Sequence, residues 1–199
     1  GFAGKSGIVI KDLTLKGVKI NDSSNTQGLG AFISCVEAMP RIELWNCHLE
    51  DSEIVSKGGA RVGGLIGWTA GYNVETDGPV KTYITLNGCT VKNTKITANG
   101  SVGGLIGHAG SNPYTFHKIE NCTVTNCTLT STDDGGWRVG VAIGTCNVGE
   151  VTINNLTQNG KITISQTEKT VPTGQSNAYG RFVPGDTGIL TIDGNKVTL

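Results

Sequence analysis

Five times along this chain the same ladder of apolar residues recurs. Cys47, Cys89 and Cys122 stand in one column, with Leu13 and Leu156 in the same register. Five residues earlier come Ile8, Ile42, Ile84, His117 and Val151, and three earlier Ile10, Leu44, Leu86, Ile119 and Ile153. Two residues after the anchor stand Leu15, Leu49, Val91, Val124 and Gln158, and seven after it Ile20, Ile54, Ile96, Leu129 and Thr163. Apolar residues two apart share one face of a strand. Here each such pair is offset from the next by three, which flips the face unless the chain bends. Asp12, Asn46, Gly88, Asn121 and Asn155 precede the anchor, and Gly17, Asp51, Asn93, Asn126 and Gly160 follow it by four. Those residue types tolerate left-handed backbone angles. Each unit therefore reads as three short strands with two corners, all turning one face inward. In the fifth unit the apolar pair moves one residue later, to Ile162 and Ile164, as a β-bulge after Asn159-Gly160 would cause.

A glycine block closes each unit. It reads Leu29-Gly30-Ala31-Phe32-Ile33, then Val62 to Gly67, Val102 to Gly107 and Val139 to Gly144, with a degenerate copy from Tyr179 to Val183. The glycine at its second position is present in all five. Either close backbone approach or a positive φ explains it. Block spacings of 33, 40, 37 and 40 residues predict strands that stack while loops of variable length protrude. One such coil cannot bury its inner face alone; stacking supplies the core. The expected fold is all-β: a single-domain right-handed parallel β-helix (β-solenoid) of about five coils, ~25 Å tall at one strand spacing per coil. The domain spans 1–199, with repeats near 8–34, 42–67, 84–107, 117–144 and 151–183. Residues 188–199 read as a C-terminal hairpin cap turning at Asp193-Gly194.

Thirty glycines against five prolines fit many short strands joined by tight turns. Sixteen basic and sixteen acidic residues cancel, so no basic field for nucleic acid is expected. No apolar run approaches the ~18 residues of a membrane span. No signal peptide is visible, and the chain starts inside a repeat, which reads as a fragment of a larger protein.

The blocks Val62 to Gly67 and Val102 to Gly107 resemble the GLUG motif; the block at Val139 matches it more loosely, and those at Leu29 and Tyr179 weakly. The stretch Asn121 to Thr130 is similar to rungs of pectin-lyase-like β-helices. The resemblance implies a place among large bacterial surface proteins, including adhesin-like proteins of Bacteroidetes, and hence an extracellular or outer-membrane-attached location. It implies little about activity, since fold does not imply function.

Six cysteines invite a metal or disulfide reading. The positions of Cys47, Cys89 and Cys122 instead predict a ladder of small buried residues, while Cys35 and Cys146 have no evident column. His117 replaces an aliphatic residue and reads as a satisfied histidine. No serine, cysteine or aspartate arrangement around any histidine suggests a triad. Glu43, Glu50, Asp51 and Glu53 cluster in one unit, but Lys92 and Lys95 stand one rung on, which reads as cross-strand charge pairing. No catalytic residue, metal site or cofactor is therefore expected. Trp68, Tyr72, His108, Tyr114 and Trp137 sit in or beside the variable loops and are the ligand-binding candidates; Phe116 is close by. Exposed aromatic rings suit sugar faces and protein hot spots. The competing reading folds the rings over the solenoid edge as covers.

Three functions remain open from sequence. The first is a non-catalytic secreted or cell-surface adhesin-like module that binds a glycan or a surface protein. The second is a polysaccharide lyase or glycoside hydrolase of the pectin-lyase-like type, which would need a cleft with two or more acids, or an Arg-Lys-acid cluster, across adjacent rungs; neither is found. The third is a structural spacer.

Overall fold

Residues 7–24, 27–37, 39–58, 60–74, 78–110 and 112–198 are described by a computed structural model. The chain winds into a parallel β-solenoid of five coils, 7–37, 41–70, 82–109, 115–146 and 150–182, with no helix among the described residues. Each of the first four coils holds five short strands rather than the three-strand unit read from the ladder. In the second coil they are Arg41–Trp45, His48–Glu50, Glu53–Ser56, Arg61–Gly63 and Ile66–Ala70. The glycine block supplies the last two. Equivalent strands stack in register into five parallel sheets.

The corners lie where the sequence marks them. Asp12, Asn46, Asn121 and Asn155 have φ between 51° and 54°, with Gly88 at 64°. Asp51, Asn93 and Asn126 have φ of 49° to 50°, with Gly17 at 67° and Gly160 at 62°. The side chains also form ladders along the solenoid. Asn46 Nδ2 donates to Asp12 Oδ1 at 2.8 Å, Asn155 Nδ2 to Asn121 Oδ1 at 3.2 Å, and Asn93 Nδ2 to Asp51 Oδ1 at 2.9 Å. One short polar side chain thus meets both needs of a stacked corner, a left-handed backbone and a bond to the next rung.

Between the corners the inner columns are closed. Ile42, Leu44, Leu49 and Ile54 are fully buried, as are Leu86, Val91 and Ile96 above them and Ile119, Val124 and Leu129 above those. Burial of each such side chain is worth roughly 1.5–3 kcal/mol, and only stacking provides it. At the first coil the columns thin out: Ile8 and Ile10 are half-buried and Leu13 is 41% exposed. In the fifth coil Asn159 pairs with Thr125 while Thr163 pairs with Thr128. Three residues therefore span what two span below. Gly160 supplies the turn, and the Lys161 N–H donates to Asn126 Oδ1 at 3.0 Å. Beyond the fifth coil Ile189–Ile192 adds in parallel to Glu150–Asn154 and turns through Asp193-Gly194, both at positive φ, into Asn195–Lys196.

The recurring glycine has the first of its two candidate causes. None of Gly30, Gly63, Gly103 and Gly140 is among the positive-φ residues. A Cβ on Gly30 would lie 2.7 Å from the Gly67 nitrogen. On Gly63 it would lie 2.6 Å from that of Gly107, on Gly103 2.8 Å from that of Gly144, and on Gly140 2.5 Å from that of Gly180. The fourth and fifth sheets thus meet backbone to backbone, offset by one coil, along a seam of glycines with no room for a Cβ.

Candidate functional site

The four ligand candidates whose side chains are described do not assemble into an exposed cluster. Trp68 and Trp137 are 7% and 8% exposed, so both rings are covers. Trp68 lies under the Arg61 guanidinium, 4.8 Å from its centre. Trp137 belongs to the turn 133–138, which Gln166 holds by donating to the carbonyls of Gly135 and Gly136 and accepting the Arg138 N–H. Tyr114 is half-buried; its N–H donates to Asn112 Oδ1 and its carbonyl accepts the Thr82 N–H, so it shapes a turn. Tyr72 starts the short antiparallel strand Tyr72–Val74, and its side chain lies outside what the structure describes. His108 pairs in register with Trp68 below and Thr145 above, and it lines a cleft.

The exposed aromatic surface lies elsewhere, on the outer face of the first sheet. Parallel pairing sets Tyr83 between Arg41 and Phe116, and Phe116 beside Glu150. Tyr83 is 49% exposed and stacks on Phe116, with centroids 5.0 Å apart and planes inclined by 19°. This is the offset-stacked geometry aromatic pairs favour. The pair borders a groove of about 330 Å³ that also presents Thr85, Lys118, Glu150 and Thr152, and Lys81 Nζ lies 6.0 Å from the Phe116 ring centre. Tyr83 was not singled out from sequence. Its signal was its place five residues before Gly88, beside Phe116 in the next coil, which becomes visible only once the rungs are aligned.

A second cleft, of about 160 Å³, opens where the fourth and fifth sheets meet. Arg61, Ser101 and Arg138 line one side, His108, Thr145 and Arg181 the other. His108 Nε2–H donates to the Gly110 carbonyl at 2.9 Å. Burial first, then the nearby Arg61, Arg138 and Arg181 charges, push its pKa down to about 4, so the imidazole is neutral. The three arginines carry no signal in the sequence because they lie far apart along the chain.

Most of the remaining chemistry-bearing residues are buried or paired, although His117 Nδ1 has no hydrogen-bond partner among the described residues. Cys47, Cys89 and Cys122 form the inward ladder, fully buried, each thiol donating to the carbonyl two residues before it at 3.3–3.5 Å. Cys127 does the same one corner on. Cys146 is fully buried beside Ala109 and Phe182, Cys35 is exposed beside Trp68, and all six are free thiols. His117 is 3% exposed inside the solenoid, with Nε2 2.6 Å from Thr69 Oγ1; burial pushes its pKa down to about 3. Lys95 pairs with Glu53 at 3.1 Å, the rung-to-rung pairing expected there. Asp51 pairs the other way, with Lys16 at 3.1 Å, and Trp45 Nε1 donates to Glu43. Asp133 pairs with Arg138 at 2.9 Å. Among the described residues no group of three or more His, Cys, Asp or Glu is placed to hold a metal ion.

The glycine seam and its period describe one recurring unit, and residues 98–132, which carry its third copy, match the family model described as the GLUG motif. The chain carries the GLUG motif. In structural terms the GLUG block is a sharp strand–turn–strand arch whose two strands close on the next arch through paired glycines. No curated protein and no solved structure matches the chain.

Proposed function

We propose that this GLUG-motif solenoid is a non-catalytic, adhesin-like module, secreted or displayed at a cell surface, that binds glycans on the outer face of its first sheet. The stack of exposed Tyr83 on half-buried Phe116 carries the proposal. Each ring of the stack keeps one face free of the other to receive the apolar face of a sugar ring, and the Lys118, Glu150, Thr85 and Thr152 side chains around the pair offer hydrogen bonds to hydroxyls. The groove is about the smallest that holds an organic ligand, which suits one or two sugar units. Support for a binding rather than a catalytic role comes from the acids of the second coil, which are tied to Lys16, Lys95 and Trp45. A surface location draws its support from the motif.

The test is a glycan array probed with the protein and with Tyr83→Ala. The expected result is binding to a restricted set of glycans, lost at least tenfold in the variant with the melting temperature unchanged. Binding that Tyr83→Ala retains would move the site off this face. Release of sugars from any bound polysaccharide would replace the non-catalytic reading with the enzyme alternative.

A further inference from the structure

The seam between the fourth and fifth sheets sets side chains as well as glycines opposite one another. Gly63 faces Gly107, Gly103 faces Gly144 and Gly140 faces Gly180, each one coil on. Two residues before the first member of each pair stand Arg61, Ser101 and Arg138, and one residue after the second stand His108, Thr145 and Arg181. The same offset therefore opposes Arg61 to His108, Ser101 to Thr145, and Arg138 to Arg181. The middle pair is in direct contact, with the two hydroxyl oxygens 2.6 Å apart. All six residues line the single cleft of about 160 Å³.

The charges of this cleft do not balance. Among the described residues the three arginines make one ion pair, from Arg138 Nη1 to Asp133. Arg61 rests on the Trp68 ring and donates to the Gln27 carbonyl at 3.4 Å. The exposed Arg181 side chain has no hydrogen bond or ion pair among the described residues, and Arg138 Nε is buried without a partner there. Two like charges facing each other across a seam raise the energy of the fold. An anion seated between them removes that cost, and guanidinium forks match the planar or tetrahedral oxygens of a carboxylate or sulfate.

We propose that the seam cleft is an oxyanion site, in which Arg138 and Arg181 hold a carboxylate or sulfate group and the Ser101 and Thr145 hydroxyls border it. The cleft has the volume of about five waters, room for the acidic group and at most one sugar ring attached to it. The site does not depend on the Tyr83 groove, which lies on another sheet.

The buried Arg138 Nε–H is the reporter. Its proton resonance is followed by NMR while D-glucuronate, galactose 6-sulfate or inorganic sulfate is added, with glucose and galactose as neutral controls at matched ionic strength. The expected result is a saturable downfield shift with the acids in the millimolar range or below and none with the neutral sugars. Arg181→Gln should weaken the acids at least tenfold, and Arg181→Lys should recover part of that loss. Tighter binding of the sugar-borne acids than of inorganic sulfate makes the ligand an acidic saccharide; equal binding makes it the anion itself. Absence of a shift with every acid, an equal shift with neutral sugars, or an unchanged affinity in Arg181→Gln would overturn the site. Without anion at low salt, Arg181→Gln should melt higher than the parent, because a repulsion is gone; a lower melting point would make Arg181 a prop of the fold and count against a ligand role.

Discussion

At single positions this chain is governed by two backbone demands that favour different residues. A corner demands a left-handed conformation, which asparagine adopts tolerably and glycine freely. At Asn93 the side chain also donates to Asp51 and accepts from Asn126. Asn93→Ala should lose about 1–2 kcal/mol in urea unfolding, from the φ penalty and the severed ladder, and Asn93→Gly should lose less. The seam demands bare backbone. Gly103→Ala would drive a Cβ into the Ile106 carbonyl and should cost about 4 kcal/mol or more, enough to unfold a marginal domain. Gly136→Ala meets nothing within 4 Å and should change stability by less than about 0.5 kcal/mol. The corners were readable from sequence because so few residue types suit them. The seam glycines were not resolved there, because glycine serves close approach and positive φ alike and only coordinates separate the two.

At the level of strands, register decides what a residue becomes. Three of the cysteines fell into one column from spacing alone, and that column is buried. Cys35 and Cys146 could not be assigned because the fifth sheet follows a turn whose length the ladder does not set. Alkylation of the native protein at mildly alkaline pH, followed by mass spectrometry, should modify Cys35 first and the other five only after denaturation. Register also buries two histidines. Each has a folded pKa, about 4 for His108 and about 3 for His117, below the ~6.5 of an unfolded chain. Between those values the unfolded state binds more protons, so the stability these imidazoles contribute is complete above about pH 6.5 and is lost as the pH falls toward 4 and then 3. The loss should be on the order of a few kcal/mol, seen as a falling urea midpoint. His117→Ile, which restores the aliphatic type of the Ile84 position below it, should remove much of that pH dependence. The burial of Trp68 and Trp137 was not decided by sequence for the same reason as Cys146: their neighbours belong to other coils.

For the molecule as a whole, the repeat was the most legible property, since five coils with marked corners leave few architectures to choose from. The candidate site was the least legible, because Tyr83 meets Phe116, and Arg138 meets Arg181, only through stacking. Modularity can be tested directly. Thr82 and Thr115 occupy the same register position in successive coils, so deletion of residues 82–114 should join the second coil to the fourth with Gly63 then facing Gly144. The shortened chain should fold cooperatively, with a denaturant slope reduced roughly in proportion to the surface it no longer buries. Loss of cooperative folding would show instead that the coils are not interchangeable.

The one-strand rise per coil has a mechanical consequence. Each turn of the solenoid adds only ~4.8 Å of height, yet it stores 33 to 40 residues of chain, which extend to roughly 110–130 Å at ~3.3 Å each. Tension applied along the axis would peel the terminal coil away rung by rung, each released turn yielding more than twenty times the height it occupied. A short, stiff column of this kind is also a compact reel, able to lengthen in steps under load.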